Sequence, residues 1–386
     1  MTDLATARQI LDTLIGFDTT SRNSNLALIA WVEEYLAQHG VASQRVPNAP
    51  DEGARKANLF ATCGPSVPGG VILSGHTDVV PVDGQDWSSD PWAVREAGGK
   101  LFGRGVADMK GFIALALAFV PRFAGGKLPV HLALSYDEEV GCQGAPSMIA
   151  RMADTIPAPR LAIVGESSLM GIITGHKGIA VHEVTVRGHA AHSSLVDHGI
   201  SANAVAVELM HDLLALAEEL RARADPANGF VPPQATLTIG VMEGGTASNI
   251  LAGQARFQFD LRCPPEENAD AILAPFKEKC VALDAQLKRK FSDAGVWIEQ
   301  HASTPPMTPQ GSEDAVAFVR ALTGENTPPG QVAFAAEGGL FQAGGFPTVI
   351  CGPGSIEQAH QPDEWIALEQ LEKGAAFMQR LAERLG

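Results

Sequence analysis

Over the first 175 positions the apolar residues come in short unbroken runs, 71–73, 130–136 and 161–164, with helical stretches such as 26–39 and 111–123 between them. A strand that is apolar on both faces belongs to a sheet covered on both sides. From Gly178 the pattern changes to alternation. In ARFQFDLRC, Ala255, Phe257, Phe259 and Leu261 face one way while Arg256, Gln258, Asp260 and Arg262 face the other. ATLTIGVM repeats this with Leu237, Ile239 and Val241 on one side. Alternation predicts an antiparallel sheet with one face in solvent.

Helices are expected on this second sheet at 201–220 and about 269–287, and a last strand, VWIEQH, starts near Val296. The order strand, helix, strand, strand, helix, strand reads as a ferredoxin-like unit inserted into the larger domain. The Pro-rich return STPPMTP brings the chain back at about Thr304, and the run 346–351 completes the first sheet. The fold class is therefore α/β, a mixed sheet between helices with an inserted α+β domain. The expected boundaries are 1–177, 178–303 and 304–386.

Composition changes this picture little. The 386 residues, 45% hydrophobic and 19% charged, suffice for two domains with cores. A formal charge of −16, from 28 Lys and Arg against 44 Asp and Glu, with no basic cluster, excludes a nucleic-acid partner. MTDLATARQILDTLIGF reads as an amphipathic helix capped by Thr2 or Asp3, and not as a signal peptide. No run is long enough to span a membrane. The scattered Cys63, Cys142, Cys263, Cys280 and Cys351, without Cys-x-x-Cys spacing, read as reduced buried thiols of a cytoplasmic protein.

The candidate chemistry stands where apolar runs end. VILSGHTDVVP delivers His76 and Asp78 two residues apart, VHLALSYDEEVG ends in Asp137, Glu138 and Glu139, and RLAIVGESS ends in Glu166. After the run 346–351 the chain turns through Gly352, Pro353 and Gly354 before reaching His360, and a Gly-rich loop presents Asp108 before a helix that starts near Gly111. Alone, His76 and Asp78 read more readily as a pair that is solvated or satisfied by backbone groups than as half of a metal site. Loops beyond the carboxyl ends of parallel strands, however, converge on one crevice. His76, Asp108, Glu139, Glu166 and His360 are then one aspartate, two glutamates and two histidines, a donor set for zinc, cobalt or manganese. One bridging carboxylate, with a His and a Glu terminal on each ion, makes a two-metal site of about 3.5–4 Å spacing. Asp108, short-stemmed in a tight loop, is the natural bridge.

The motifs SGHTDVVP, GRGVADMKGFIA, SYDEEVGCQGA, VGESS, GHAAHSS, GTASNILAG and CGPGSIEQAHQPDEW together resemble the two-zinc acylase and aminopeptidase-like family. That family includes succinyl-diaminopimelate desuccinylase, aminoacylase and glutamate-releasing carboxypeptidases. The resemblance covers nearly the whole chain and implies a zinc-aminopeptidase-like fold. It makes His76 and Glu166 ligands of one zinc, Glu139 and His360 ligands of the other, Asp108 the bridge and Glu138 the general base. Asp78 orients His76, and the Asp108–Met109 peptide is expected to be cis.

The same resemblance assigns an oxyanion donor to His192, contributed by the inserted domain of a partner subunit, and so implies a homodimer. Read without it, His192 is an exposed turn histidine. Arg262 is either the binder of a substrate carboxylate or half of a surface pair with Asp260. Asn249, Lys177 and Gly354 are further expected substrate contacts. Glu337 either faces the distal ammonium of ornithine or acts as a solvated cap; Ala336 stands where relatives often have Thr. His189 and His198 read as exposed histidines and His182 as part of an alternating strand.

The implied reaction is hydrolysis of the amide of an N-acyl amino acid, with N2-acetyl-L-ornithine as the foremost substrate. A desuccinylase, aminoacylase or dipeptidase reaction is the alternative within the same chemistry, and a metal-free binding protein the alternative outside it.

Overall fold

The computed structural model describes residues 3–49 and 55–386, so the cap expected at Thr2 lies outside it. The chain divides into two compact units. One comprises Met1–Gly175, Met307–Gln331 and Ala336–Gly386; the other comprises His176–Pro306 with Val332–Ala335. The second unit thus begins two residues before the expected insert and ends three after it, and it gains a short segment, Val332–Ala335, that no periodicity marks.

Eight strands form one large sheet in the order Ser43–Pro47, Ala57–Cys63, Val130–Ser135, Val71–His76, Leu161–Ser167, Thr348–Gly352, Ile173–His176 and Gly330–Val332. The third to sixth of these run parallel, and the first two pair antiparallel, so the sheet is mixed. Every residue of Val71–His76 and Val130–Ser135 is buried. Side chains alternate across a strand, so burial at every position means that both faces are covered. Val71, Leu73 and Leu132 join a core with Leu14, Ile113, Leu115, Phe119 and Phe377.

The helix expected over 111–123 is two helices, Lys110–Ala118 and Val120–Ala124. Pro121 has no N–H to offer the Leu117 carbonyl, which ends the first helix at that point. A separate small sheet, Trp365–Ala367, Lys100–Phe102 and Arg95–Ala97, lies in the first unit.

The second unit is a four-stranded antiparallel sheet, ordered Thr236–Gly244, Gln254–Cys263, Gly178–Arg187 and Gly295–Thr304, with helices Ala202–Ala222 and Ala269–Lys290. Each helix starts where a side chain accepts one of the free N–H groups of the first turn, Ser201 from Ala204 and Asn268 from Ala271. Phe257, Phe259 and Leu261 face inward on Leu209, Leu213, Leu273 and Phe276.

One expectation fails in this sheet. Leu237, Ile239 and Val241 do not share a face, because a bulge lies between Ile239 and Val241 and shifts the register by one residue. Val241 is 40% exposed and Met242 65%. Among the described residues no helix is long and apolar enough to cross a membrane.

Candidate functional site

The parallel strands deliver their carboxyl ends to one edge of the large sheet. His76 closes Val71–His76, Glu138 and Glu139 follow Val130–Ser135, and Glu166 is the penultimate residue of Leu161–Ser167. Beyond Thr348–Gly352 the chain turns through a short 3-10 segment, Ile356–Gln358, to His360. Asp108 precedes the helix Lys110–Ala118, and the Asp108–Met109 peptide is cis. Glycine lets the strand Leu161–Ser167 seat closely against the helix Lys110–Ala118: a Cβ at Gly165, next to Glu166, would lie 2.1 Å from the Phe112 ring. Asp137 and His360 both hold left-handed backbone, φ 56° and 62°, uncommon for residues with a side chain.

Asp108 stands at the centre of the cluster. His76 Nε2 lies 2.9 Å from its Oδ1 and 3.6 Å from Glu166 Oε1. His360 Nε2 lies 3.4 Å from its Oδ2 and 2.9 Å from Glu139 Oε2. Each oxygen of one aspartate therefore faces one histidine with one glutamate. Ligating atoms of His76, Glu138 and Glu166, and of His76, Asp108 and Glu139, gather within 4.8 Å of one another. His360 is half exposed, and the other members are buried or nearly so.

Asp78 contributes twice. His76 Nδ1 lies 2.9 Å from the Asp78 carbonyl oxygen and 3.6 Å from its carboxylate, so Nδ1 donates to that carbonyl and the ring is held with Nε2 toward the cluster. The Asp78 carboxylate accepts from Ser21 Oγ at 2.7 Å and from the backbone N–H groups of Glu138 and Glu139 at 3.1 and 3.2 Å. Asp137 is held in turn by Lys56 Nζ at 2.5 Å. The segment Asp137–Glu139 is thereby fixed from both sides.

Crowding of like charge dominates the electrostatics. Burial first, then the charges of Glu139 and Asp108, push Glu138 well above the usual carboxylate range. Burial and Asp108 do the same to Glu166, and they push Glu139 up to about 7. Burial works against the Asp108 carboxylate, yet hydrogen bonds from His360 and His76 hold it well below that range. Hydrogen bonds to Asp108 and Glu139 raise His360 to about 10. Four acidic side chains buried together, with imidazole nitrogens among them and no thiolate, are a site that positive charge stabilises. Nitrogen and carboxylate donors in this mixture fit divalent ions of the zinc type.

The remaining expected residues fall in different places. Glu337 is buried, accepts from Ser74 Oγ at 3.2 Å, and is raised by burial; it starts the helix Gly338–Ala343, which folds it under the strand Val71–His76 instead of into solvent. Gly354, at φ 89°, donates to Gln370 Oε1 at 3.3 Å.

Lys177, His192, Asn249 and Arg262 belong to the second unit. Lys177 Nζ donates to the Gln234 carbonyl at 2.6 Å. His192 is exposed, and its Nδ1 accepts from the Ser194 N–H at 3.2 Å with Ser194 Oγ at 2.8 Å. Ser193 N–H donates to the Asn249 carbonyl at 3.0 Å, which joins the turns carrying His192 and Asn249. Arg262 Nε donates to Asp260 Oδ2 at 3.0 Å. His182 is buried and stacked on Phe259, while His189 stacks on Phe291 beside Asp293.

Sequence reasoning missed Glu364. It is buried and accepts from the backbone N–H groups of Gly105, Ala107 and Asp108. A carboxylate that holds backbone amides leaves no periodic trace; the one signal was an acid four residues beyond His360.

A mixed sheet with histidines and carboxylates collected at its strand ends defines a metal-dependent amide hydrolase, and the chain belongs to peptidase family M20/M25/M40, whose family model matches residues 72–384. Its relatives include acetylornithine deacetylase of Myxococcus xanthus, 33% identical over 386 residues, 98% of this chain and 97% of that one. Acetylornithine deacetylase of Proteus mirabilis (strain HI4320) is 32% identical over 385 residues, 97% and 95% of the two chains. Among solved structures, the M20 family metallo-carboxypeptidase Sso-CP2 from Sulfolobus solfataricus superposes with a TM-score of 0.75 at 16% identity over 98% of each chain, a likeness of fold.

Proposed function

We propose that this protein hydrolyses N2-acetyl-L-ornithine to L-ornithine and acetate, a step toward arginine. The observation that carries the chemistry is the placement of Asp108, one oxygen toward His76 and Glu166 and the other toward His360 and Glu139. The substrate assignment is supported by 33% identity to an acetylornithine deacetylase over nearly the whole chain.

Two divalent ions, zinc first, held by His76 with Glu166 and by Glu139 with His360 and shared by Asp108, would polarise the acyl carbonyl and lower the pKa of water. Glu138 is the general base: its carboxylate takes a proton from the attacking water and returns it to the departing amine nitrogen. Asp78 keeps Glu138 in place through the backbone N–H it accepts. His192 of the partner subunit donates to the oxyanion. Its Nδ1 accepts from the Ser194 N–H, so a neutral ring carries its proton on Nε2 and can donate there.

Arg262 binds the substrate carboxylate as a planar fork, exchanging Asp260 for it, and Asn249, Lys177 and Gly354 complete the contacts. Glu337, buried against Ser74, is left out of this contact set.

A homodimer through the second unit is supported by an apolar strip on its surface. Val207 and Leu214 on the helix Ala202–Ala222, with Val241 and Met242 on the edge strand Thr236–Gly244, are all exposed. A second copy covers both the strip and the open strand edge. Five buried cysteines, none disulfide-bonded, support a reducing compartment such as the cytoplasm.

The test is turnover of N2-acetyl-L-ornithine, N-succinyl-L,L-diaminopimelate and N-acetyl-L-methionine by zinc-loaded and chelator-treated protein. Preference for N2-acetyl-L-ornithine that disappears on chelation is expected. Preference for another of the three overturns the substrate assignment, and no metal-dependent turnover of any overturns the hydrolase reading.

A further inference from the structure

We propose that Glu364, Arg104 and Gln85 form a clamp that fixes the spacing between Asp108 and His360, and so sets how tightly the ion shared by Glu139 and His360 is held. This inference rests on the two-ion reading above.

Glu364 and Arg104 are each 1% exposed and paired, with Arg104 Nη1 donating to Glu364 Oε2 at 2.8 Å. A buried ion pair by itself is weak evidence of any purpose. What distinguishes this one is where the other donors come from. Gly105 N–H donates to Oε2 at 2.9 Å, and Ala107 and Asp108 N–H donate to Oε1 at 2.9 and 3.1 Å. Three of four donors are thus amides of the loop that ends in Asp108. A carboxylate that served only to neutralise Arg104 needs none of them.

The other end of the clamp reaches His360. Arg104 Nη2 donates to Gln85 Oε1 at 2.5 Å, and Gln85 Nε2 donates to the His360 carbonyl at 2.9 Å. Four residues of chain lead from His360 back to Glu364, so the bonds close a ring: Glu364, Arg104, Gln85, His360 and round to Glu364. A second tie supports the same segment, because Ser88 N–H and Oγ both donate to Asp363 Oδ1, at 3.0 and 2.9 Å. His360 needs such support. Its side chain is half exposed, and its backbone sits at φ 62°, where residues other than glycine rarely stay unless their surroundings hold them.

The ring predicts graded effects. Gln85→Ala removes all three side-chain hydrogen bonds of the glutamine, from Arg104, from Trp87 Nε1 and to the His360 carbonyl. Gln85→Glu keeps an acceptor for Arg104 and loses only the donor to the His360 carbonyl. Both leave Asp108 anchored, so both should weaken one of two ions, by on the order of 10- to 100-fold, as outer-shell changes do. Glu364→Gln offers one acceptor oxygen where two are used, which frees the backbone of the shared Asp108 and should weaken both ions.

The experiment is titration of zinc into the chelator-treated full chain against a chromophoric competitor, with cobalt absorption spectra of the same variants and thermal unfolding of the ion-free proteins. The clamp predicts two tight ions in the wild type, one weakened ion with an altered cobalt spectrum in either Gln85 variant, and ion-free unfolding of those variants unchanged. Gln85 variants that hold both ions with wild-type affinity overturn the clamp while leaving the two-ion reading intact. A wild type that binds fewer than two ions overturns that reading and the clamp with it. If Glu364→Gln fails to fold, the Gln85 pair still decides.

Discussion

Glu138 and Glu139 are adjacent in sequence, yet only Glu139 touches a histidine of the cluster, at 2.9 Å from His360 Nε2. Glu138 meets Cys142 Sγ at 3.4 Å, which leaves it beside the proposed ions without being consumed as a terminal ligand. Glu138→Gln should therefore lower kcat by about 100- to 10,000-fold while the protein still binds two equivalents of zinc; a rate within tenfold of the wild type contradicts its role as base. A second residue-scale effect lies away from the site. His131, at the other end of the strand that leads to Glu138, is buried against Thr62 Oγ1, and burial lowers it from 6.5 to about 4. As pH falls below 6.5 the unfolded chain takes up this proton and the folded chain does not, so stability falls with pH down to about 4. His131→Asn should flatten that decline in urea midpoints measured from pH 7 to 4, and an unchanged slope would show that another group causes it. Residues such as His76, Glu139 and Glu166 were legible because each follows an apolar run. Glu364 and the second role of Asp78 were not, because hydrogen bonds to backbone amides impose no spacing on the sequence.

At the scale of elements, the site depends on how closely the strand Leu161–Ser167 and the helix Lys110–Ala118 approach. Gly165 makes that approach possible, since a Cβ there would meet the Phe112 ring at 2.1 Å. Gly165→Ala should lower unfolding stability by about 1–3 kcal/mol through overpacking, measured by urea denaturation. Adding Phe112→Leu should recover part of the loss if the clash is the cause, because substitutions in contact are not additive; equal loss in single and double variants would point elsewhere. Buried strands were easy to read from continuous apolar runs, and the alternating strand Gln254–Cys263 from its period of two. The strand Thr236–Gly244 misled because Gly240 admits a bulge, and a one-residue shift reverses the face of each residue that follows. The break between Lys110–Ala118 and Val120–Ala124 was visible as Pro121, but the apolar pattern runs straight across it.

At the scale of the whole molecule, the chain divides into two compact units and belongs to one family, and the expected insert differs from the second unit by a few residues at each end. The added segment Val332–Ala335 was illegible because its membership is a tertiary fact, carried in part by the bond from Lys177 N–H to the Val332 carbonyl. The dimer proposed through the second unit predicts that Leu214→Glu with Met242→Glu yields a folded monomer in sedimentation velocity; an undisturbed dimer places the interface elsewhere. The proposed activity itself reduces to one dependence, that of amide hydrolysis on two ions held around Asp108. The most direct measurement is the rate of N2-acetyl-L-ornithine hydrolysis as zinc is titrated into chelator-treated protein of known concentration. The account predicts negligible activity without metal and a rise that is complete at two equivalents per chain. Full activity in the metal-free protein, or no activity at any zinc concentration with the other amides equally untouched, would contradict it.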